Sequence, residues 1–410
     1  MKKMIPYFAL VTAILIIAVQ ACSVLTDSSS LSERIAVETD TAELSKRVQV
    51  VNSPVDIVPY PGLHDKAKAD QKPFERELIL VANVSSPIID GNYTLSATAV
   101  DIAAKTLYVS YHRYGNPYAG AIDLIDLGDP TEPRLVSSVT FTDTDINGLE
   151  VDNNRKKLWV TGGRSVNQSG YDTEGHLGAI VGEFEMDRDG AFDFGRYRET
   201  PLPSYSGNAL VEKAQTLYVA VGATGGGYVE IDKETFSPGG TLAYENAKYV
   251  ERHNSDIIGL RLDQNHLPVF EILDFSGNEL QQYAGSEGVA PQDGKNVVEH
   301  FAGVTYGALG NRGVKGFRFD GRGDPLVYEF AVNGNDVANG VTVDGRYVYI
   351  AHGTDGLFVT THPVSPNKEP EEVYRWNSGM GSANFVKTDG QFLIVANGVD
   401  GLNVLRIEKM

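Results

Sequence analysis

Cysteine is almost missing from this chain. Cys22 is the only one in 410 residues, so no disulfide within the chain staples the fold. Positive charge is also in short supply: 35 Lys and Arg against 54 Asp and Glu give a formal net charge of −19. A surface of that sign repels phosphate backbones, which sets nucleic acid aside as a partner. The common catalytic signatures are missing as well. There is no His-Glu-x-x-His, no Gly-x-Ser-x-Gly and no Gly-Lys-Ser/Thr phosphate loop. The eight histidines show no metal-ligand spacing. What is abundant is glycine (43) and tyrosine (20), with 42% hydrophobic residues, which suits an all-β protein with many turns and a sizeable core.

The position of Cys22 gives it a role. Lys2 and Lys3 precede an apolar run over 5–19, and Val19-Gln20-Ala21-Cys22 follows. That is the layout of a secretory signal, too short for a comfortable membrane span. Val-Gln-Ala-Cys resembles a bacterial lipobox, which implies a lipidated Cys22 and cleavage of residues 1–21. Acyl chains there would hold the protein on a membrane. Ser23 follows, where an Asp would suggest retention at the inner membrane, so the expected location is the outer membrane, facing the periplasm or the cell surface. Losing residues 1–21 removes two lysines and no acids, which makes the mature chain two charges more acidic.

Residues 22–75 are polar, with Ser28–Ser30 and Pro54, Pro59 and Pro61, and read as a tether or leader. From 76 to 410 one unit recurs: a short apolar strand, a turn, an apolar-aromatic strand, then a third and usually a fourth strand. The unit starts align at 98, 147, 208, 248, 296, 339 and 384, a period of roughly 40–50 residues. Four strands at that period predict a seven-bladed β-propeller of antiparallel blades. The seventh unit has only three strands before the chain ends. An isolated strand at 78–84 is expected to supply its fourth, close the ring and remove two open edges.

The segment Ile122-Asp-Leu-Ile-Asp-Leu-Gly-Asp-Pro-Thr-Glu-Pro-Arg-Leu-Val136 resembles the LVIVD repeat of bacterial envelope propellers. That repeat runs from an apolar strand through a Pro-x-x-Pro turn into Leu-Val. Residues 338–358 and 391–404 resemble its second half, and the resemblance is sharpest in units one, six and seven. It implies a propeller at the cell envelope and lends no catalytic residues.

The aligned unit starts are Thr98, Asn147, Asn208, Lys248, Asn296, Asn339 and Asn384. In a propeller these seven should ring the mouth of the central channel, where amides can hold waters, a cation or ligand hydroxyls. Asn also tolerates left-handed turns and bonds nearby backbone, a purely structural use. Loops between second and third strands open on the same face and add His112, Arg113, Arg164, His352 and Asn397 as candidate ligand contacts. Asp187, Asp189 and Asp193 resemble part of a calcium loop but lack its further acidic ligand, so the stretch reads mainly as a hairpin turn. Arg322-Gly-Asp324 reads the same way.

The expectation is a lipid-anchored, non-catalytic binding or scaffold module, without a cofactor, whose mouth meets an envelope protein or a glycan. The alternative is a propeller hydrolase or lactonase with Ca2+ or another divalent ion in the channel. That ion needs several carboxylates at one level, and Asp143, Asp145 and Asp336 are the nearest acids to the amide ring.

Overall fold

The computed structural model describes residues 33–60 and 73–409, apart from 153, 155, 167–176, 187–191, 276–281, 285–294, 321–324, 332–336, 364–366 and 380. Its strands form seven antiparallel sheets arranged as the blades of a propeller, and one two-stranded ribbon, Ile88–Ile89 with Tyr93–Thr94. The innermost strands are Ser96–Ala103, Thr144–Val151, Ser206–Lys213, Ala247–His253, Val298–Phe301, Gly340–Val343 and Phe385–Thr388. Each packs against the next, and the seventh packs against the first, so they line a closed channel.

Each blade is sandwiched between two others, so its middle strands are buried on both faces. This is why Tyr347–Ala351 and Phe392–Ala396 are apolar at nearly every position instead of alternating: all five residues of each are buried. The core consists of layers between blades. Tyr108, Ile122 and Phe141 of blade one meet Ile146, Leu158 and Phe184 of blade two, and Trp159 and Val181 of blade two meet Leu217, Val219 and Ile231 of blade three. Each such side chain contributes roughly 1.5–3 kcal/mol when fully buried.

Ring closure follows the expected route. The strand Arg76–Val84 pairs antiparallel with Leu402–Lys409, from Leu402↔Val84 to Lys409↔Arg76, and completes blade seven.

The segment read as a loose tether is different in its described part. Strand β1 (Ile35–Glu38) adds to the outer edge of blade one opposite Ser138–Phe141. Helix α1 (Thr41–Ser45) follows, capped by Asp40, whose side chain accepts from Ala42 N–H (2.8 Å). Strand β2 (Val48–Pro54) adds to blade seven beside β4 (Arg76–Val84), and the two-residue β3 (Val58–Pro59) adds to blade six. The described part of the polar N-terminal stretch is thus a belt that covers three successive blade edges. Its composition concealed this because an added outer strand needs backbone hydrogen bonds and little apolar surface: β2 is mostly exposed.

Buried ion pairs fix the belt. Arg34 and Arg164 alternate with Asp143 and Glu199 in a closed ring of four charges: Arg34–Asp143 2.7 Å, Asp143–Arg164 3.1 Å, Arg164–Glu199 2.9 Å and Glu199–Arg34 3.4 Å. Burial pushes the Asp143 carboxyl up, but the bond and charge of Arg34 outweigh it and hold the group below its ordinary value. Arg47, beyond α1, grips Asp123 of blade one and the carbonyl of Ser85.

Candidate functional site

The seven unit starts have a common local geometry in the first four blades. The pairing of inner and second strands skips one residue between Ala97 and Ala99, Ile146 and Gly148, Gly207 and Ala209, and Ala247 and Tyr249. Thr98, Asn147, Asn208 and Lys248 are therefore the extra residues of β-bulges, a device that redirects a side chain out of the pleat.

Most of these side chains then bond across to the next blade, at the carbonyl just before its own ring residue. Thr98 Oγ1 donates to Ile146 O (2.8 Å), Asn147 Nδ2 to Gly207 O (3.1 Å), Asn208 Nδ2 to Ala247 O (2.8 Å) and Asn339 Nδ2 to Ala383 O (3.1 Å). The ring is a circumferential stitch. The inter-blade approach here is so close that a Cβ at Gly207 would lie 1.7 Å from Thr161 Oγ1.

The same residues also line a funnel-shaped cavity of about 590 Å3 at the channel mouth. Thr98, Asn147, Asn208, Lys248, Asn339 and Asn384 line it, and so do His112 and Arg113. His112 Nδ1 lies 3.0 Å from Asn147 Oδ1; burial pulls its proton affinity down despite that contact. Arg113 stacks its guanidinium on Tyr93, 3.6 Å from the ring centroid.

Four expected contacts are elsewhere. Asn296 is fully buried with a left-handed φ of 58°, and its neighbour Lys295 lines the funnel in its place. Arg164 is consumed by the charge ring under the belt. His352 is buried against Phe358, 4.9 Å between centroids. Asn397 is buried and donates to Asn403 Oδ1 (2.6 Å). The last two occupy turn positions in which a short tight loop folds the side chain inward: His352 N–H bonds Gly356 O and Asn397 N–H bonds Gly401 O. The longer loop after His112 leaves that position open to the funnel.

Of the acids nearest the ring, Asp143 is locked in the charge ring. Asp145 lines the funnel, where its Oδ1 accepts from the N–H groups of Ala119 (3.0 Å) and Arg113 (3.3 Å). Burial nevertheless pushes it up to about 7. Cys22, Asp187, Asp189, Asp336 and Arg322-Gly-Asp324 lie outside the described residues. Asp193 falls in the strand Phe192–Pro201.

Lys295 is the residue that the sequence reading missed. It enters from blade five, crosses the channel and donates to the carbonyls of Thr98 and Asn147 (2.9 Å to the latter) on blades one and two. Its Nζ also lies 4.8 Å from the centroid of Phe385. Burial without an acid partner pulls its proton affinity down to about 7. Lys248 is lowered for the same reason. A signal was present: a lysine immediately precedes the aligned Asn296.

Three residues deeper along the innermost strands is a second ring: Asp101, Glu150, Glu251, Glu299 and Lys387, with Val211 and Thr342 in blades three and six. These charges face one another across the channel. Burial raises Glu150 and Glu251 above the usual carboxylate range. Lys387 is raised, because Glu299, at 3.0 Å, and Glu251 outweigh its burial. The carboxylates are spread among separate partners: Asp101 accepts from Val151 N–H, and Glu150 from Arg252 (2.6 Å). Among the described residues no three His, Cys, Asp or Glu side chains converge as metal ligands do.

No family model matches the chain, and no curated protein matches it in sequence. Solved propellers do match in shape. A chain of the "Crystal Structure of Mitotic Checkpoint Complex" is 12% identical over 88% of this chain and 93% of its own, with a TM-score of 0.56. The "Crystal structure of WD40 beta propeller domain of Doa1" is 11% identical over 77% and 94%, with a TM-score of 0.53. At such identities the likeness is one of fold.

Proposed function

We propose that this protein is a lipid-anchored propeller of the bacterial envelope that acts as a non-catalytic binding module, with the channel mouth as the surface that meets a protein or glycan partner. One observation carries the reading. A closed ring of blades presents a concave funnel in which amide, hydroxyl and ammonium groups from all seven blades converge. Protein-complex components among the propellers of similar fold are consistent with a scaffold role. The anchor rests on Lys2 and Lys3, the apolar run 5–19 and Cys22, and the envelope setting on the LVIVD-like repeats.

Two experiments test it. In a bacterial host, wild-type protein should fractionate with membranes and carry a lipid mass on its N-terminal peptide, and Cys22→Ser should lose both. A Cys22→Ser protein that still carries the lipid would overturn the anchor. For the mouth, Ser206→Arg fills the funnel from its wall. Crosslinking in envelope extract should give partner adducts with wild type that disappear with Ser206→Arg at unchanged thermal stability. An unchanged adduct pattern would move the binding surface elsewhere.

A further inference from the structure

We propose that the funnel binds an acidic saccharide, with its carboxylate held between Lys248 and Lys295 and its hydroxyls on the amide ring. This rests on the mouth being the binding surface, and it names the ligand's chemistry.

Charge is the first support. The whole chain carries −19, yet the charged residues lining the funnel are Lys248, Lys295 and Arg113 against the single acid Asp145. Asp145 is also tied by two backbone N–H groups. A cationic pocket in an acidic protein selects an anion by contrast with the net charge of the surface around it.

Donor inventory is the second. An ammonium has three N–H donors. Lys295 directs two to Thr98 O and Asn147 O, which fixes its position and leaves one for a ligand. Lys248 has no hydrogen-bonding partner among the described residues. An amide has two N–H donors and a carbonyl acceptor. Asn208 directs one N–H to Ala247 O. Groups that both donate and accept match sugar hydroxyls, which do the same; Ser206 Oγ, which accepts from Asn147 Nδ2 (2.8 Å) and donates to Gly207 O (3.3 Å), adds a lone pair. An acidic peptide supplies the carboxylate but no array of hydroxyls. The rim loop adds Tyr118 and the 93% exposed Tyr114, flat faces suited to a sugar ring.

The proton equilibria run in the same direction. The groups facing Lys295 in the funnel are Lys248, Arg113, His112 and Asp145. Burial places Lys295 and Asp145 both at about 7. An anion binds the protonated lysine and is repelled by ionised Asp145, so affinity falls as pH rises from 6 to 8, by roughly tenfold from Lys295 alone.

The test is calorimetric titration of glucuronate, glucose, glucose 6-phosphate and a short glutamate peptide into wild type, Lys248→Gln, Lys295→Gln and Ser206→Arg. Circular dichroism checks that each variant is folded. Glucuronate should bind wild type, glucose at least tenfold more weakly, and each lysine variant should lose at least tenfold for glucuronate. Lys295→Gln should also flatten the pH dependence. The proposal is overturned if glucuronate binds no variant differently, or does not bind wild type. Tighter binding of the phosphate or the peptide would assign the funnel to that anion instead. If glucose matches glucuronate and Ser206→Arg abolishes both, the acid assignment fails while the mouth remains the binding surface. If no probe binds and Ser206→Arg leaves the crosslinked adducts intact, both readings fall together.

Discussion

Two lysines sit in one channel with opposite fates. Lys295 at the mouth has only carbonyl oxygens and an aromatic face for company, and burial pulls its proton affinity down to about 7. Lys387, one level deeper, lies 3.0 Å from Glu299 and close to Glu251, and its proton affinity rises. The surroundings of both are desolvated. The partner decides the outcome: a paired buried charge is a structural part, and an unpaired one is available to something from outside. The deep level therefore reads as a brace between blades four, five and seven, and the mouth as the level at which the proposed ligand would meet an unpaired charge.

Removing the brace should have the largest effect. Lys387→Met leaves Glu299 and Glu251 without a counter-charge and should cost about 3–5 kcal/mol in urea unfolding at pH 7. A loss under about 1 kcal/mol would erase the distinction between the two levels. Asn208→Ala comes next. It leaves Ala247 O without its donor, so a loss of roughly 1–2 kcal/mol is expected in the same assay. Lys295→Met should change stability by less than about 1 kcal/mol near pH 7 while abolishing anion binding, since the lysine is costly to bury. The sign with pH is fixed. Its folded affinity of about 7 lies below the unfolded value of about 10.4, so the unfolded chain holds more protons in between. Wild-type stability should gain on Lys295→Met as pH rises from 7 to 10, and no relative gain would mean that Lys295 is not desolvated. Glu251→Gln is the finest probe. Glu251 is raised by burial, so the folded state prefers its proton and loses stability as pH rises above about 4.3. The variant should show a shallower decline than wild type by thermal melting between pH 5 and 7. Parallel declines would place the titration on another group.

The blades and their closure were legible because their signal is repeated seven times and each repeat carries both strand length and spacing. Closure by β4 was legible because the last unit lacked a strand. At the mouth, alignment found Thr98, Asn147, Asn208, Lys248, Asn339 and Asn384, since a bulge or strand start keeps its place in every unit. It failed for Asn296, where a left-handed backbone turns the side chain inward and hands the position to Lys295. The deep ring was also in register, but read singly its residues look like turn acids at strand ends. Arg164 gave no sign of its burial, because its partners Asp143 and Glu199, and the Arg34 that shares them, come from separate parts of the chain.

The belt has a consequence for how the molecule is made. β4 leaves the ribosome early, and β2 can pair with it at once on one side. The other side is satisfied only by Leu402–Lys409, the last strand of the propeller to be synthesised. By the logarithmic dependence on loop length, joining such distant ends costs roughly 5 kcal/mol of chain entropy. Until Leu402–Lys409 emerges, a nearly complete propeller is an open arc with two bare strand edges, at Arg76–Val84 and Phe392–Ala396. Loss of Leu402–Lys409 would therefore be felt by every blade, and a nascent chain needs those edges shielded until that strand is made.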